Sequence, residues 1–318
     1  MSATLDRVAN HARRELGKVI VGQAAMVDLL LLTIVCRGHA LLEGVPGLAK
    51  TLTVRTLARI LRLRFQRVQC TPDLMPADVI GGDVFNMATS TFTTHPGPVF
   101  TDLLLVDEIN RMPPRTQAAL LEAMEERQAT IGASGHRLSP WFTTFATQNP
   151  VEFEGTYPLP EAELDRFFVK IHLAYPDTAA HEEEAILERH HRGFDTQELD
   201  AVDLVPLEIE DVTAARQDVA SVRIEPALFG YIAAVARRTR DWPSITLGAS
   251  PRAAIHLMQL AKAMAALDGR DYLLPDDVKH AAPPVLRHRL VLTPEADLDG
   301  LTPDQVIAEV LAAVDVPK

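Results

Sequence analysis

The sequence predicts an α/β fold: a three-layer αβα domain around a parallel sheet, followed by a smaller all-α lid domain. Three observations predict it. Residues 39–43 read as a short buried strand that runs straight into a glycine turn at 44–51, and a helix carrying Leu52, Leu57 and Leu61 follows. Residues 103–106 are apolar throughout, as expected of a strand covered on both faces. After Tyr175-Pro176 the strand signals stop, and most later segments read as helices.

Taken in order, Leu5, Val8, Ala12 and Leu16 recur at near-helical spacing and predict a first amphipathic helix, ended by Gly17. A second helix is expected over 23–36. Beyond the strand and turn at 39–51, residues 65–70 read as a second strand and 103–106 as a third. A helix follows, opened by Pro113 or Pro114 near its first turn, with Leu120, Leu121 and Met124 as its inner stripe. Residues 141–147 and 167–173 are the fourth and fifth strands. Strands alternating with helices imply a parallel sheet in three layers. Helices are then expected over 178–190, 210–220, 226–240, 251–267 and 275–281. The boundary is placed near Pro176, which gives domains of 1–176 and 177–318.

A chain of 318 residues can bury a real core. Its 47% hydrophobic and 23% charged residues exclude global disorder. The net charge of −12 means that bulk charge does not hold phosphate backbones, so nucleic-acid contact would need a local basic patch. The two cysteines, Cys36 and Cys70, lie far apart. They make neither a disulfide framework nor a zinc ribbon and are read as small buried groups in a reducing interior. Residues 1–14 lack the apolar core of a signal peptide. The most apolar run, 29–36, falls far short of the roughly 20 residues that span a bilayer. The expected location is the cytoplasm.

Five groups of residues carry chemistry. The first is Gly44-Val45-Pro46-Gly47-Leu48-Ala49-Lys50-Thr51, close to the phosphate-loop pattern G-x-x-x-x-G-K-[ST]. Its glycines let backbone N–H groups turn toward phosphate oxygens. Lys50 brings positive charge to the outer phosphates, and the Thr51 hydroxyl is placed to ligate Mg²⁺. Ala49 stands where a second glycine is usual. The second group is Asp107-Glu108, two acids at the carboxyl end of an apolar strand, where α/β sheets bind ligands. Asp107 can hold Mg²⁺ through water, and Glu108 can polarise an attacking water. Third, Asn149 ends the next strand; its amide could orient water, or Asn149-Pro150 could be an ordinary turn. Fourth, Arg166 could reach from one subunit into its neighbour's site, or pair with Asp165 at the surface. Fifth, Arg252 opens a helix of the second domain, where it could report nucleotide state or simply be a helix-start arginine.

These five elements follow the order of AAA+ ATPases, and the wording around them resembles the MoxR family. The stretches 44–51, 103–131, 145–167 and 248–253 carry that resemblance, which runs from about residue 21 to 290. It implies ATP hydrolysis with Mg²⁺, with Lys50 and Thr51 as the phosphate-binding pair and Asp107 and Glu108 as the acidic box. It further implies Asn149 as sensor 1, Arg166 as the arginine finger and Arg252 as sensor 2, acting on its own or a neighbour's nucleotide. Val21, Gly22 and Gln23 match the segment that contacts adenine, and Leu52 follows the phosphate loop. The family assembles as a ring, usually a hexamer, with sites between subunits. Residues 81–98 and 128–142 sit where this branch inserts hairpins, which face the central pore in related machines. The resemblance also implies a partner with a von Willebrand factor A domain. The implied work is chaperone-like: maturing enzymes, inserting metals or supporting stress responses.

Arg55, Arg59, Arg62, Arg64 and Arg67 form a basic cluster, with Arg55, Arg59 and Arg62 expected on one helix face. It reads as a solvated or intersubunit face, since no aromatic residues are interleaved for base stacking. The eleven histidines show no metal-binding spacing. Three other readings stand beside the remodeller: a nucleic-acid motor, a nucleotide-gated scaffold that barely hydrolyses ATP, and a chelatase-type motor subunit.

Overall fold

The computed structural model describes residues 3–45, 47–88, 90–132, 134–149, 156–175, 177–195 and 199–317. Pro46 of the phosphate loop, Pro150 to Gly155 and Pro176 at the expected boundary lie outside them. Two helices come first, α1 (Ala3–Leu16) and α2 (Ala24–Val35), then strand β1 (Ala40–Glu43), helix α3 (Lys50–Ile60) and strand β2 (Phe65–Gln69). A short helix α4 (Pro76–Ile80) leads into strands β3 (Gly81–Asn86) and β4 (Thr91–Pro96), which pair antiparallel as a hairpin. Strand β5 (Leu103–Asp107) and helix α5 (Pro114–Glu126) follow. A second antiparallel hairpin is made by β6 (Gln128–Ile131) and β7 (Ser134–Arg137). Strand β8 (Thr143–Gln148), helix α6 (Glu161–Leu164) and strand β9 (Val169–His172) complete the sheet region.

Five strands form one parallel sheet in the order β2-β5-β8-β1-β9. Their carboxyl ends therefore face one edge, and β1, β5 and β8 lie side by side there. The strict alternation of side chains along a strand divides the apolar residues between two faces. Ala40 and Leu42 join one core cluster and Leu41 the other; Leu103 and Leu105 part from Leu104 and Val106 in the same way. Helices cover both faces, which makes the three layers that the sequence predicts.

The remaining elements are mostly helical: α7 (Glu182–His191), α8 (Ile209–Ser221), α9 (Pro226–Arg240), α10 (Pro251–Leu267), α11 (Pro275–Leu286), α12 (Pro294–Leu298) and α13 (Pro303–Ala312). One small two-stranded pair, β10 (Ile245–Leu247) with β11 (Val291–Leu292), lies among them. The first core cluster does not stop at the sheet. It continues through α1 and α2 into α8, α10 and α11, with Leu5, Leu30, Val212, Leu257 and Val285 all fully buried in it. Asp218 of α8 accepts the backbone N–H groups of Thr4 and Leu5 at 3.0 and 3.2 Å, satisfying donors that the first turn of α1 leaves unpaired. Arg216 of α8 stacks over Trp141, 3.4 Å from the ring centre.

Several expectations are corrected. The helix expected from 178 starts at Glu182, after a turn, and α11 runs past the expected stop at 281 to Leu286 with Pro283 and Pro284 inside it. Arg62 does not share a helix face with Arg55 and Arg59: α3 ends at Ile60 and Arg62 takes a left-handed backbone (φ 53°). The basic cluster is largely engaged within the chain. Arg59 donates to the Leu199 carbonyl, Arg62 pairs with Glu208 at 2.7 Å, Arg64 with Asp102 at 3.0 Å and Arg67 with Asp107 at 2.6 Å. Cys70 is buried, and burial pushes its thiol up to about 12; Cys36 is only partly buried. Among the described residues no group of three or more His, Cys, Asp or Glu could hold a metal, and no helix is long and apolar enough to cross a membrane.

Candidate nucleotide site

The phosphate loop hangs from the carboxyl end of β1 and feeds into α3, whose first turn points N–H groups at the loop's concavity. Gly47 (φ 89°) and Ala49 (φ 53°) both hold left-handed backbone, so the loop keeps its tight path at Ala49 without the usual glycine. Lys50 extends its ammonium back across the loop and donates to the Gly44 carbonyl at 2.6 Å. Burial lowers the Lys50 pKa, opposed by the carboxylates of Asp107, Glu108 and Glu43. Gly44 packs tightly: a Cβ there would lie 2.8 Å from the Leu173 side chain.

Opposite the loop, β5 delivers its two acids. Asp107 is 8% exposed, and its Oδ2 lies 3.5 Å from the Thr51 hydroxyl. Mg²⁺ prefers oxygen donors, and the Thr51 hydroxyl and Asp107 carboxylate are the groups that would hold it here; Asp107 Oδ2 also accepts from Arg67 at 2.6 Å. Thr147 of β8 braces both acids, accepting the Glu108 backbone N–H at 2.9 Å and donating to Asp107 Oδ1 at 3.3 Å. Glu108 itself has φ 59°, a strained backbone for a side-chain-bearing residue and one that recurs at functional sites. Its Oε2 accepts from Gln69 and from Arg111, each at 3.2 Å. Asn149, 9% exposed, lines the same cleft of 440 Å³ with Gly47, Lys50, Thr51, Asp107 and Glu108.

Arg67, Gln69, Arg111 and Thr147 are site residues that the sequence reading missed. Arg67 and Gln69 had one signal available. They are two apart on β2 with buried Val68 between them, so they share the face that Val68 turns away from.

A second, more apolar cavity of 360 Å³ adjoins the loop. Val21, Gln23, Leu48 and Leu52 line one side, with Ile186, Leu187 and Phe194 from α7 and just beyond it on the other. It shares Gly47, Leu48, Ala49 and Leu52 with the phosphate cleft. A flat apolar group seated there would sit beside phosphates held by the loop. Gly22 (φ 70°) passes so close to Glu182 that a Cβ would lie 2.3 Å from its carboxylate, and Gln23 donates to the Ala174 carbonyl at 2.9 Å. Val45 packs against the first core cluster rather than lining either cavity.

Arg166 and Arg252 are brought together, away from their own phosphate cleft. Neither lines it. Both pair with one carboxylate, Glu125 of α5: Arg166 Nε at 3.0 Å and Arg252 Nη2 at 2.5 Å. They line a separate 230 Å³ recess with Arg37, Arg127 and His256. Asp165, beside the finger candidate, accepts from Ser250 at 3.0 Å and from buried Arg289 at 2.8 Å. Burial lowers the Arg289 guanidinium to about 10 against the pull of Asp165. Ser250 also caps α10, accepting the Ala253 N–H.

Fold and site together define a P-loop nucleotide-hydrolysing domain of the AAA+ class with a helical lid. Comparison with known proteins agrees. Residues 39–169 match the model of the ATPase family associated with various cellular activities (AAA), and residues 237–310 match an AAA lid domain. An uncharacterized Bacillus subtilis protein, YeaC, is 42% identical over 98% of this chain and 96% of its own. Chaperone MoxR1 of Mycobacterium tuberculosis is 41% identical over 99% of this chain and 83% of its own. The crystal structure of a candidate ATPase from Cytophaga hutchinsonii superposes with a TM-score of 0.89 at 43% identity, covering 100% of this chain and 97% of that one. The chain belongs to the MoxR family of AAA+ ATPases and is an ATP-hydrolysing enzyme.

Proposed function

We propose that the chain works as one subunit of a homo-oligomeric ring, a hexamer, that spends ATP hydrolysis on remodelling or maturing protein complexes in the cytoplasm, metal-cofactor insertion among them. One observation carries the ring: Arg166 and Arg252 share a carboxylate in a recess that is not their own phosphate cleft. An arginine that stabilises charge on a transferring phosphate has to reach it. In this reading both arginines serve the adjoining subunit's nucleotide, which makes every site composite.

Within one subunit the proposed roles are these. The loop's N–H groups and Lys50 bind the phosphates, and the cavity beside Val21 and Gln23 takes the adenine. Mg²⁺, held by Thr51 and Asp107, would neutralise charge on the phosphate oxygens. Glu108 orients and polarises the attacking water, with Asn149 lining the same cleft. Chaperone-like work agrees with the name of the mycobacterial relative. A von Willebrand factor A domain protein as partner is the family's habit and is proposed on that ground alone. A nucleic-acid motor is the weaker reading: the net charge of −12 disfavours phosphate backbones, and Arg59, Arg62, Arg64 and Arg67 are each paired within the chain.

Steady-state ATP hydrolysis across protein concentration tests the reading. Specific activity should rise with concentration, and Glu108→Gln and Arg166→Ala should each lower kcat by about 10²-fold or more. An Arg166→Ala protein that stays active, at a rate indifferent to concentration, would show each site to be complete within one subunit.

A further inference from the structure

Glu125 draws two arginines from different parts of the chain onto one carboxylate. Arg166 follows the short helix α6, and Arg252 stands in the first turn of α10. Left alone, two guanidinium groups at one recess would repel each other and swing apart. The shared carboxylate offsets that repulsion, with one oxygen facing each arginine. The way it grips Arg166 matters. The contact uses Nε, the inner nitrogen, at 3.0 Å, and no hydrogen bond among the described residues engages the two terminal nitrogens. Those terminal nitrogens are the ones long enough to reach outward.

The carboxylate is itself held in place. Glu125 lies in the last turn of α5, and the preceding carbonyl, that of Met124, accepts from His39 Nε2 at 3.2 Å. His39 Nδ1 accepts the Thr144 backbone N–H at 2.9 Å, which ties the end of α5 to β8 of the sheet. The pair is braced from the other side as well. Asp165 is fixed by Arg289 and by Ser250, the cap of the helix that carries Arg252.

We propose that Glu125 is a positioning residue for hydrolysis in the adjoining subunit: it holds Arg166 and Arg252 side by side so that one phosphate meets both at once. The proposal rests on the composite-site reading above and adds a residue that never touches the nucleotide. As an acceptor-only carboxylate, Glu125 would be repelled by phosphate oxygens, so its work is done through the arginines.

The test uses the full-length protein and two kinds of measurement. Glu125→Gln keeps the shape but turns an N–H donor toward one guanidinium. It should lower kcat at least tenfold and leave KM for ATP within about twofold, since the subunit's own cleft is intact. Glu125→Asp should recover part of the rate. Glu122→Gln, on the same helix, should behave as wild type, and thermal midpoints check that all variants fold. Mixed assemblies then locate the effect. Glu125→Gln subunits combined with Glu108→Gln subunits should regain activity that neither has alone, because an intact arginine pair then faces an intact acid.

Arg166→Ala mixed with Glu108→Gln serves as the reference for the ring. If the reference mixture regains activity and the Glu125→Gln mixture does not, Glu125 acts within its own subunit and the proposal fails while the ring stands. If neither regains activity, the ring reading fails and takes the proposal with it. A Glu125→Gln protein with wild-type or raised kcat overturns the proposal directly.

Discussion

Ala49 holds a left-handed backbone (φ 53°) at the point where the phosphate loop turns into α3. For a residue with a Cβ that conformation costs roughly 1–2 kcal/mol, and glycine escapes it at some expense in unfolded-chain entropy. Ala49→Gly should therefore raise the thermal midpoint by roughly 1–3 °C and leave kcat unchanged. Calorimetry of the two proteins decides it, and a lower midpoint for the glycine variant would mean that the alanine is unstrained. The residues most legible in the sequence were those whose partners are close in the chain: Lys50 and Thr51 follow their glycines, and Glu108 follows Asp107. Thr147 and Glu125 were illegible for the opposite reason. Each acts on a side chain contributed by another element, and a single charged or hydroxyl residue on a strand or helix leaves no local pattern.

Among elements, the five sheet strands were read within two residues at each end; burial on both faces leaves an apolar run in β1 and β5, whereas the edge strand β2 is mostly exposed and β9 alternates. The hairpin strands β3 and β4 carry no such mark. Their residues from Asp83 to His95 that are described are exposed, Phe85 and Phe92 included, with those two rings 5.2 Å apart. Only family resemblance pointed to that segment. Helix α11 was cut short because prolines normally stop a helix, by removing N–H donors and clashing one turn back. Here the turn beyond Pro283 buries Val285 and Leu286 completely, and that burial keeps the helix going.

His39 shows how one side chain can join three elements, and it does so as a neutral ring. Burial pushes its pKa down to about 3 from the usual 6.5, helped by the positive charge of Arg127 and opposed by the Met124 carbonyl. A base whose pKa is lower when folded stabilises the fold above pH 6.5, and that contribution is lost as pH falls toward 3. One such group gives a slope of about 1.4 kcal/mol per pH unit in that window. His39→Gln supplies an acceptor and a donor without titrating. Its stability between pH 6 and 4, followed by denaturant unfolding, should fall less steeply than that of the wild type; equal slopes would clear His39 of the acid sensitivity.

Across the whole molecule, the expected division at 176 is crossed by a continuous core. The first core cluster runs from β1 and β9 through α1 and α2 to α8, α10 and α11. The two tryptophans stand as natural probes of this continuity. Trp141 precedes β8 and is stacked under Arg216, whereas Trp242 lies among the later helices, 5.0 Å from Arg238. Trp141→Phe and Trp242→Phe variants each leave one reporter. Their fluorescence should give coincident denaturation midpoints, as expected when one cooperative unit unfolds. Midpoints that separate would mean that the later helices melt independently. The sequence pattern located the change from strands to helices but not this joining, because α1 looks like any amphipathic helix until its partner is known.

That joining sets a schedule for synthesis. Leu5 and Asp218 meet across 213 residues of chain. At the roughly 5–20 residues per second of translation, about 10–40 s pass between the emergence of α1 and the arrival of α8. Through that interval the stripe of Leu5, Val8, Ala12 and Leu16 has an α8 partner that is not yet made or not yet released from the ribosome. A protein with one relative named a chaperone thus begins life with its own first helix waiting for part of its cover.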